Sequence, residues 1–295
     1  MEQTRTKRIR SGTVPGTGEG SEPGRHLPEL ANEQPKEKEL RTLNLIYLNA
    51  RSITNKLNDL AVLINDHNPD VILVTETWCN ENTTNAMLSM PGYSIEPDLR
   101  VDRRDTLNGI GGGVMVYAKD GLIIKPIPVE NDYNMFVRFK IISSESKDDR
   151  DLTVTLVYRP PRANTENNKE LYKLFDNCRD NNIFIGDFNF PPINWNDYTS
   201  DRGSEPFLNC LIDNGFEQLV EFRTHIRGNI LNLVLSNKPE TVLNIESVRN
   251  LSTSDHSILS VDIVFNSFNV TAELINDWKN GDREGLKEYL GAIKW

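Results

Sequence analysis

The nine residues from Ile183 to Pro191 constrain this chain more than any other stretch. Ile183, Phe184 and Ile185 form a short apolar run with a β-branched bias, which fits a buried strand better than a turn of helix. Gly186 follows, and glycine lets a backbone turn or pass close to a neighbour. Asp187 and Asn189 stand where the apolar run ends. Residues two apart in an extended segment share a side, so the Asp187 carboxylate and the Asn189 amide can point at one spot while Phe188 and Phe190 point into packing. Pro191 and Pro192 stop the strand. An isolated Asp-x-Asn is more often a polar turn than a site. Its weight here comes from other polar groups in the same kind of setting.

With 295 residues, 37% of them hydrophobic, the chain can build one large domain or two ordinary ones. It has no apolar run of 18 residues, and its basic first ten residues lead into no apolar core, so neither a membrane span nor a secretory signal is expected. An intracellular location follows, with the nucleus among the options. Cys79, Cys178 and Cys210 are scattered and odd in number, which favours reduced thiols over a disulfide framework. Four histidines without a Cys/His cluster do not make a zinc site; a bound metal is expected to be a hard cation held by oxygens. The net charge of -10 argues against a basic protein that coats nucleic acid. It leaves room for an enzyme acting on nucleic acid, because carboxylates gathered around a divalent cation count as negative in a sum that omits the cation.

Residues 1–40 contain no Phe, Tyr or Trp and are rich in Gly, Pro, Glu and Ser, so a disordered tail is expected there. From Leu43 to Asn49 the pattern is that of a strand, and Leu57, Leu60, Ala61 and Ile64 then repeat at helical spacing over 56–67. Val71 to Trp78 reads as a second buried strand with Glu76 near its end. A glutamate between an apolar run and a tryptophan needs a partner, and a cation is one candidate. The glycines at 109–113 fit neither phosphate-binding fingerprint and read as a turn leading into a strand. Further strands are expected at 121–129, 135–142 and 152–158, the last ending on Tyr158. Leu171, Leu174, Phe175 and Cys178 mark one helix, and Phe207, Leu208, Leu211 and Ile212 another. Ile230 to Ser236 reads as a strand with Asn232 in its middle, and Ile258 to Phe265 closes the domain after Ser254-Asp255-His256-Ser257. Helical pieces are expected at 272–278 and 283–293. His67 and His225 have no ligand spacing and read as surface or helix-end residues; Cys79 beside Trp78 reads as packing. Trp195 and Tyr198 are open to two readings, base stacking or loop anchoring. Strands outnumber helices and no sustained βαβ rhythm shows, so two packed sheets with flanking helices are expected.

The polar groups at strand ends are then Asn49, Glu76, Tyr158, Asp187, Asn189, Asp255 and His256. Their recurrence at equivalent positions, in the motifs Leu-Asn-Ala-Arg-Ser (48–52), Thr-Glu-Thr-Trp (75–78), Gly-Gly-Gly-Val (111–114), Tyr-Arg-Pro-Pro (158–161), Gly-Asp-Phe-Asn (186–189) and Ser-Asp-His-Ser (254–257), resembles the endonuclease/exonuclease/phosphatase superfamily from Leu43 to about Phe265. Within it, Asn-Ala-Arg-Ser, Thr-Glu-Thr-Trp and the tail from Asp277 to Trp295 most resemble the endonuclease that precedes the reverse transcriptase of non-LTR retrotransposons. The resemblance implies a four-layered α/β sandwich over 41–267, with 268–295 as the start of a helical extension. It implies hydrolysis of a phosphodiester in DNA with Mg²⁺ or Mn²⁺; no obligate protein partner is evident in the sequence. Glu76, Asn49 and Asp255 would hold the metal, and Asp187 would orient or deprotonate the attacking water. Asn189, Tyr158 and Arg51 would bind the scissile phosphate, and His256 would hydrogen-bond that phosphate or act as base.

Asn232 departs from the pattern, because the superfamily has an aspartate there that accepts a hydrogen bond from the histidine. A neutral amide stabilises an imidazolium less well and can select the wrong ring tautomer. In a serine-protease triad, an unrelated fold, the same change costs roughly 10⁴ in turnover. A catalytically weakened remnant acting as a binding module is therefore the alternative, and a phosphoesterase of lipid or small-molecule substrates is a third reading.

Overall fold

Val71–Thr75 and Leu152–Tyr158 are buried at every position, the pattern of strands covered on both faces. They are the middle of two sheets. The computed structural model describes residues 41–103, 111–129, 135–142, 152–176, 178, 180–248 and 254–265; the expected tail at 1–40 and the expected helical pieces beyond 268 lie outside them. In chain order the elements are β1 (Arg41–Asn49), α1 (Leu57–His67), β2 (Val71–Thr75), β3 (Tyr93–Val101), β4 (Val114–Lys119), β5 (Ile124–Ile127), β6 (Met135–Ile141), β7 (Leu152–Tyr158), α2 (Thr165–Lys173), β8 (Asn181–Asp187), α3 (Glu205–Asp213), β9 (Glu217–Gln218), β10 (Asn232–Ser236), β11 (Val242–Val248) and β12 (Ile258–Phe265).

One six-stranded sheet runs β11-β12-β1-β2-β4-β3 and the other β5-β6-β7-β8-β10-β9. β1 pairs in parallel with β2, bringing Asn49 opposite Thr75, and β7 with β8, bringing Tyr158 opposite Asp187. Each parallel pair requires a crossover, supplied by α1 in the first sheet and α2 in the second. No sustained βαβ rhythm shows in the sequence because each β-helix-β unit occurs once per sheet and is surrounded by antiparallel strands.

Inward side chains of both sheets, among them Leu45, Tyr47, Leu73, Phe139, Leu156, Ile185 and Val261, form the central core. The outer face of the first sheet packs Ile46, Leu48, Ile72 and Val74 with Leu60 and Leu63 of α1. The outer face of the second packs Val157 and Phe184 with Leu171, Phe175, Phe207 and Leu211 from the α2 and α3 side. The expected four-layered α/β sandwich is thus the observed one. Local details differ. Leu63 of α1 is buried where Ala61 is exposed, α2 ends at Lys173, β2 stops one residue before Glu76, and Asn232 begins β10 instead of sitting in its middle. Gly186 is required by proximity: a Cβ there would lie 1.8 Å from the Val157 carbonyl oxygen.

Candidate active site

The carboxyl ends of β1, β2, β7 and β8 face one another across the sandwich, the end at which open α/β sheets place ligands. They border an open cleft of about 390 Å³. Asn49, Arg51, Glu76, Asp187, Asn189, Asp255 and His256 line it, and Tyr158 reaches it by donating its hydroxyl proton to Glu76 Oε1. Seven described residues other than glycine have positive φ, and Arg51, Glu76, Trp78 and Asn189 are four of them, all lining the cleft. Such strain persists only where the surroundings enforce it. Here the Ser52 and Ile53 amides donate to the Glu76 and Thr77 carbonyls, which extends the β1–β2 pairing into the two turns.

Asp187 ends β8 and is 2% exposed. Its Oδ2 accepts from Asn49 Nδ2 at 3.1 Å, a bond joining the two sheets, and lies 3.8 Å from His256 Nε2. Burial, and then the Glu76 carboxylate, push its carboxyl well above the usual carboxylate range.

His256 is oriented by Asn232, whose Oδ1 lies 2.8 Å from His256 Nδ1. The Asn232 Nδ2 donates to the Ser257 carbonyl at 3.0 Å, and a carbonyl can only accept. This fixes the amide with its oxygen toward the ring, so the network places the ring proton on Nδ1 and leaves Nε2 with an open lone pair. The wrong-tautomer concern raised by the sequence is therefore not met. Burial first, and then nearby His225, lower the His256 pKa to about 4, leaving the imidazole neutral at physiological pH.

Asp255 Oδ2 accepts from Arg51 Nη1 at 2.8 Å. Burial works against its ionised form, but Arg51 and His256 together hold its carboxyl below the usual range. Three oxygens of this cleft, Asn49 Oδ1, Asp187 Oδ1 and Asp255 Oδ1, are shielded from solvent and have no hydrogen-bond donor. Unmet buried acceptors are costly. Two carboxylates and an amide with spare oxygens, joined by Glu76, suit a hard divalent cation.

Three solved structures share this architecture. The endonuclease domain of TRAS1, a telomere-specific non-LTR retrotransposon, aligns over 77% of this chain and 100% of its own length, with a TM-score of 0.58 and 14% identity. The AP endonuclease LMAP from Leishmania major aligns over 76% of this chain and 88% of its own, with a TM-score of 0.60 and 14% identity. The 3' phosphatase NExo from Neisseria, bound to a product DNA hairpin, aligns over 75% of this chain and 99% of its own, with a TM-score of 0.56 and 14% identity. This is the endonuclease/exonuclease/phosphatase fold. The resemblance read from the motifs is borne out, and the profile of the Endonuclease-reverse transcriptase family matches residues 152–260, from β7 into β12. No curated protein matches the sequence. No helix among the described residues is long and apolar enough to cross a membrane.

Several residues around the site of this endonuclease/exonuclease/phosphatase fold were given no role in it by the sequence. His225, read as a surface or helix-end residue, lines the cleft and forms a β-bridge with His256, its ring 4.8 Å from that of His256. Its Nδ1 accepts the Arg227 amide at 3.2 Å, so its proton sits on Nε2, which faces Asp255 Oδ2 at 3.7 Å. Thr224, fully buried, ties the loops together. Its Oγ1 accepts from the Leu231 and Asn232 amides, and its carbonyl from the Ser257 amide. Arg159 donates to the Asn189 carbonyl at 2.7 Å and stacks 3.9 Å from the Phe190 ring centroid, which braces the turn that presents Asn189. Trp195 is buried against Phe207 and Tyr198 and donates to the Ile230 carbonyl, as a loop anchor does, whereas Tyr198 is 42% exposed.

Proposed function

We propose that the chain is a divalent-cation-dependent endonuclease that hydrolyses phosphodiester bonds in DNA. The observation carrying this is the convergence of Glu76, Asp187, Asn189 and His256 on one cleft in which cation-suited oxygens lack donors. Solved relatives of the fold that act on DNA support the choice of substrate. A Mg²⁺ or Mn²⁺ ion held by Glu76, Asn49 and Asp255 would supply positive charge against the oxygens that gain charge during cleavage. Arg51 and the Asn189 amide fit the scissile phosphate as donors. Asp187, held between Asn49 and His256 at the end of β8, fits the group that orients and deprotonates the attacking water. His256, neutral with Nε2 facing Asp187, fits proton acceptance better than anion binding in the resting cleft. Tyr158 gives its one proton to Glu76, so contact with phosphate would require that bond to be released.

The silent-module reading drew on Asn232, and the fixed amide weakens it, since only the negative charge is missing. Incubation with Mg²⁺ of supercoiled plasmid, inositol phosphates and phospholipid vesicles in parallel separates the readings. Nicking of plasmid alone, abolished by EDTA, is expected. Turnover of the inositol phosphates or lipid without nicking would overturn the DNA assignment.

A further inference from the structure

Trp78 has no part in the chemistry assigned above, yet its indole Nε1 donates to Glu76 Oε2 at 2.7 Å. The Tyr158 hydroxyl, from the opposite sheet, donates to Oε1. Each oxygen of this carboxylate thus receives one neutral donor and keeps acceptor capacity for another partner. The backbone is built around this contact. Glu76 and Trp78 both hold left-handed conformations, with φ of 53° and 56°. The Thr77 and Trp78 amides donate to the Gly113 and Gly112 carbonyls at 3.2 and 3.0 Å. Gly113 makes that approach possible, since a Cβ there would fall 2.1 Å from Thr77 Oγ1.

We infer that Trp78 is a positioning residue that fixes the Glu76 carboxylate for a divalent cation; this rests on the reading of Glu76 as a cation ligand. A carboxylate held by two neutral donors keeps its full charge and loses rotamer freedom before the cation arrives, so less order has to be imposed on binding. Removing an outer partner of this kind weakens metal affinity by about tenfold or more.

Calorimetric titration of the full chain with MnCl₂ tests this, using wild type, Glu76→Gln, Trp78→Phe and Trp78→His, with thermal unfolding of each measured in EDTA. Trp78→Phe, which loses the N–H, is expected to raise the Kd for Mn²⁺ about tenfold. Trp78→His, which keeps a ring N–H, is expected to recover most of that loss. Should Trp78→Phe fail to fold, benzothienylalanine at position 78 puts sulfur in place of N–H in a ring of the same shape, and the same loss is expected. Equal binding by wild type and Trp78→Phe, or equal weakening by Phe and His, overturns the positioning role while leaving Glu76 as a ligand. No Mn²⁺ binding by wild type, or undiminished binding by Glu76→Gln, overturns both.

Discussion

Asn232 Oδ1 lies 2.8 Å from His256 Nδ1, and the same amide donates to the Ser257 carbonyl at 3.0 Å. A neutral side chain thereby sets the tautomer of the histidine without supplying charge. Asn232→Asp would place a carboxylate against Nδ1 and raise the His256 pKa from about 4. It would also remove the donor to Ser257 and face that carbonyl with a charge. The expected outcome is faster plasmid nicking, by about tenfold, together with a loss of about 1–2 kcal/mol in urea denaturation. An unchanged His256 titration by NMR would contradict the charge argument.

The depressed His256 pKa carries a stability consequence with a definite sign. The unfolded imidazole titrates near 6.5 and the folded one at about 4, so between those values the unfolded chain binds more protons. The contribution is complete above about pH 6.5 and is lost as pH falls toward 4, amounting to roughly 3 kcal/mol. Urea denaturation in EDTA should show wild type losing more stability than His256→Asn over that window. Parallel losses would contradict the assigned shift.

Arg159 is buried, with its guanidinium on the Asn189 carbonyl, the Asn168 side chain and the Phe190 ring. Arg159→Lys keeps a charge but cannot make the forked contacts or the stack. Destabilisation by roughly 2 kcal/mol and a nicking rate lowered about tenfold are expected, through a looser Asn189 turn. Denaturation and nicking measured on the same preparation check both parts.

Gly186→Ala tests the close approach of β8 to β7. A methyl 1.8 Å from the Val157 carbonyl oxygen cannot be accommodated without moving one of two central strands. Destabilisation of about 4 kcal/mol or more is expected, seen as loss of soluble protein or of the cooperative urea transition. A near-neutral effect would contradict the register.

Asp187 and Asn189 announced themselves because a strand's end is a local event, with an apolar run, a glycine and then two polar groups. Asn49 and Tyr158 likewise stand where an apolar run stops, while His256 stands just ahead of β12, and the motifs they belong to carried the fold. His225 gave no such signal, because its place depends on a bridge to His256 formed only in the folded chain. The left-handed turn at Glu76 and Trp78 was equally hidden, since neither residue type favours positive φ and the reason lies in Gly112 and Gly113 on a neighbouring segment. Thr224 and Arg159 act through buried contacts to loops distant in sequence, which no spacing encodes.

Nicking of supercoiled plasmid with Mg²⁺ by wild type, Glu76→Gln and Asp187→Asn, each verified as folded by circular dichroism, bears on the proposed function more than any other experiment. Both substitutions keep shape and replace a carboxyl group of the cleft with an amide. Wild type is expected to nick, and each variant to fall by about 10²-fold or more. Equal activity in all three preparations would contradict a cation-assisted nuclease centred on these carboxylates.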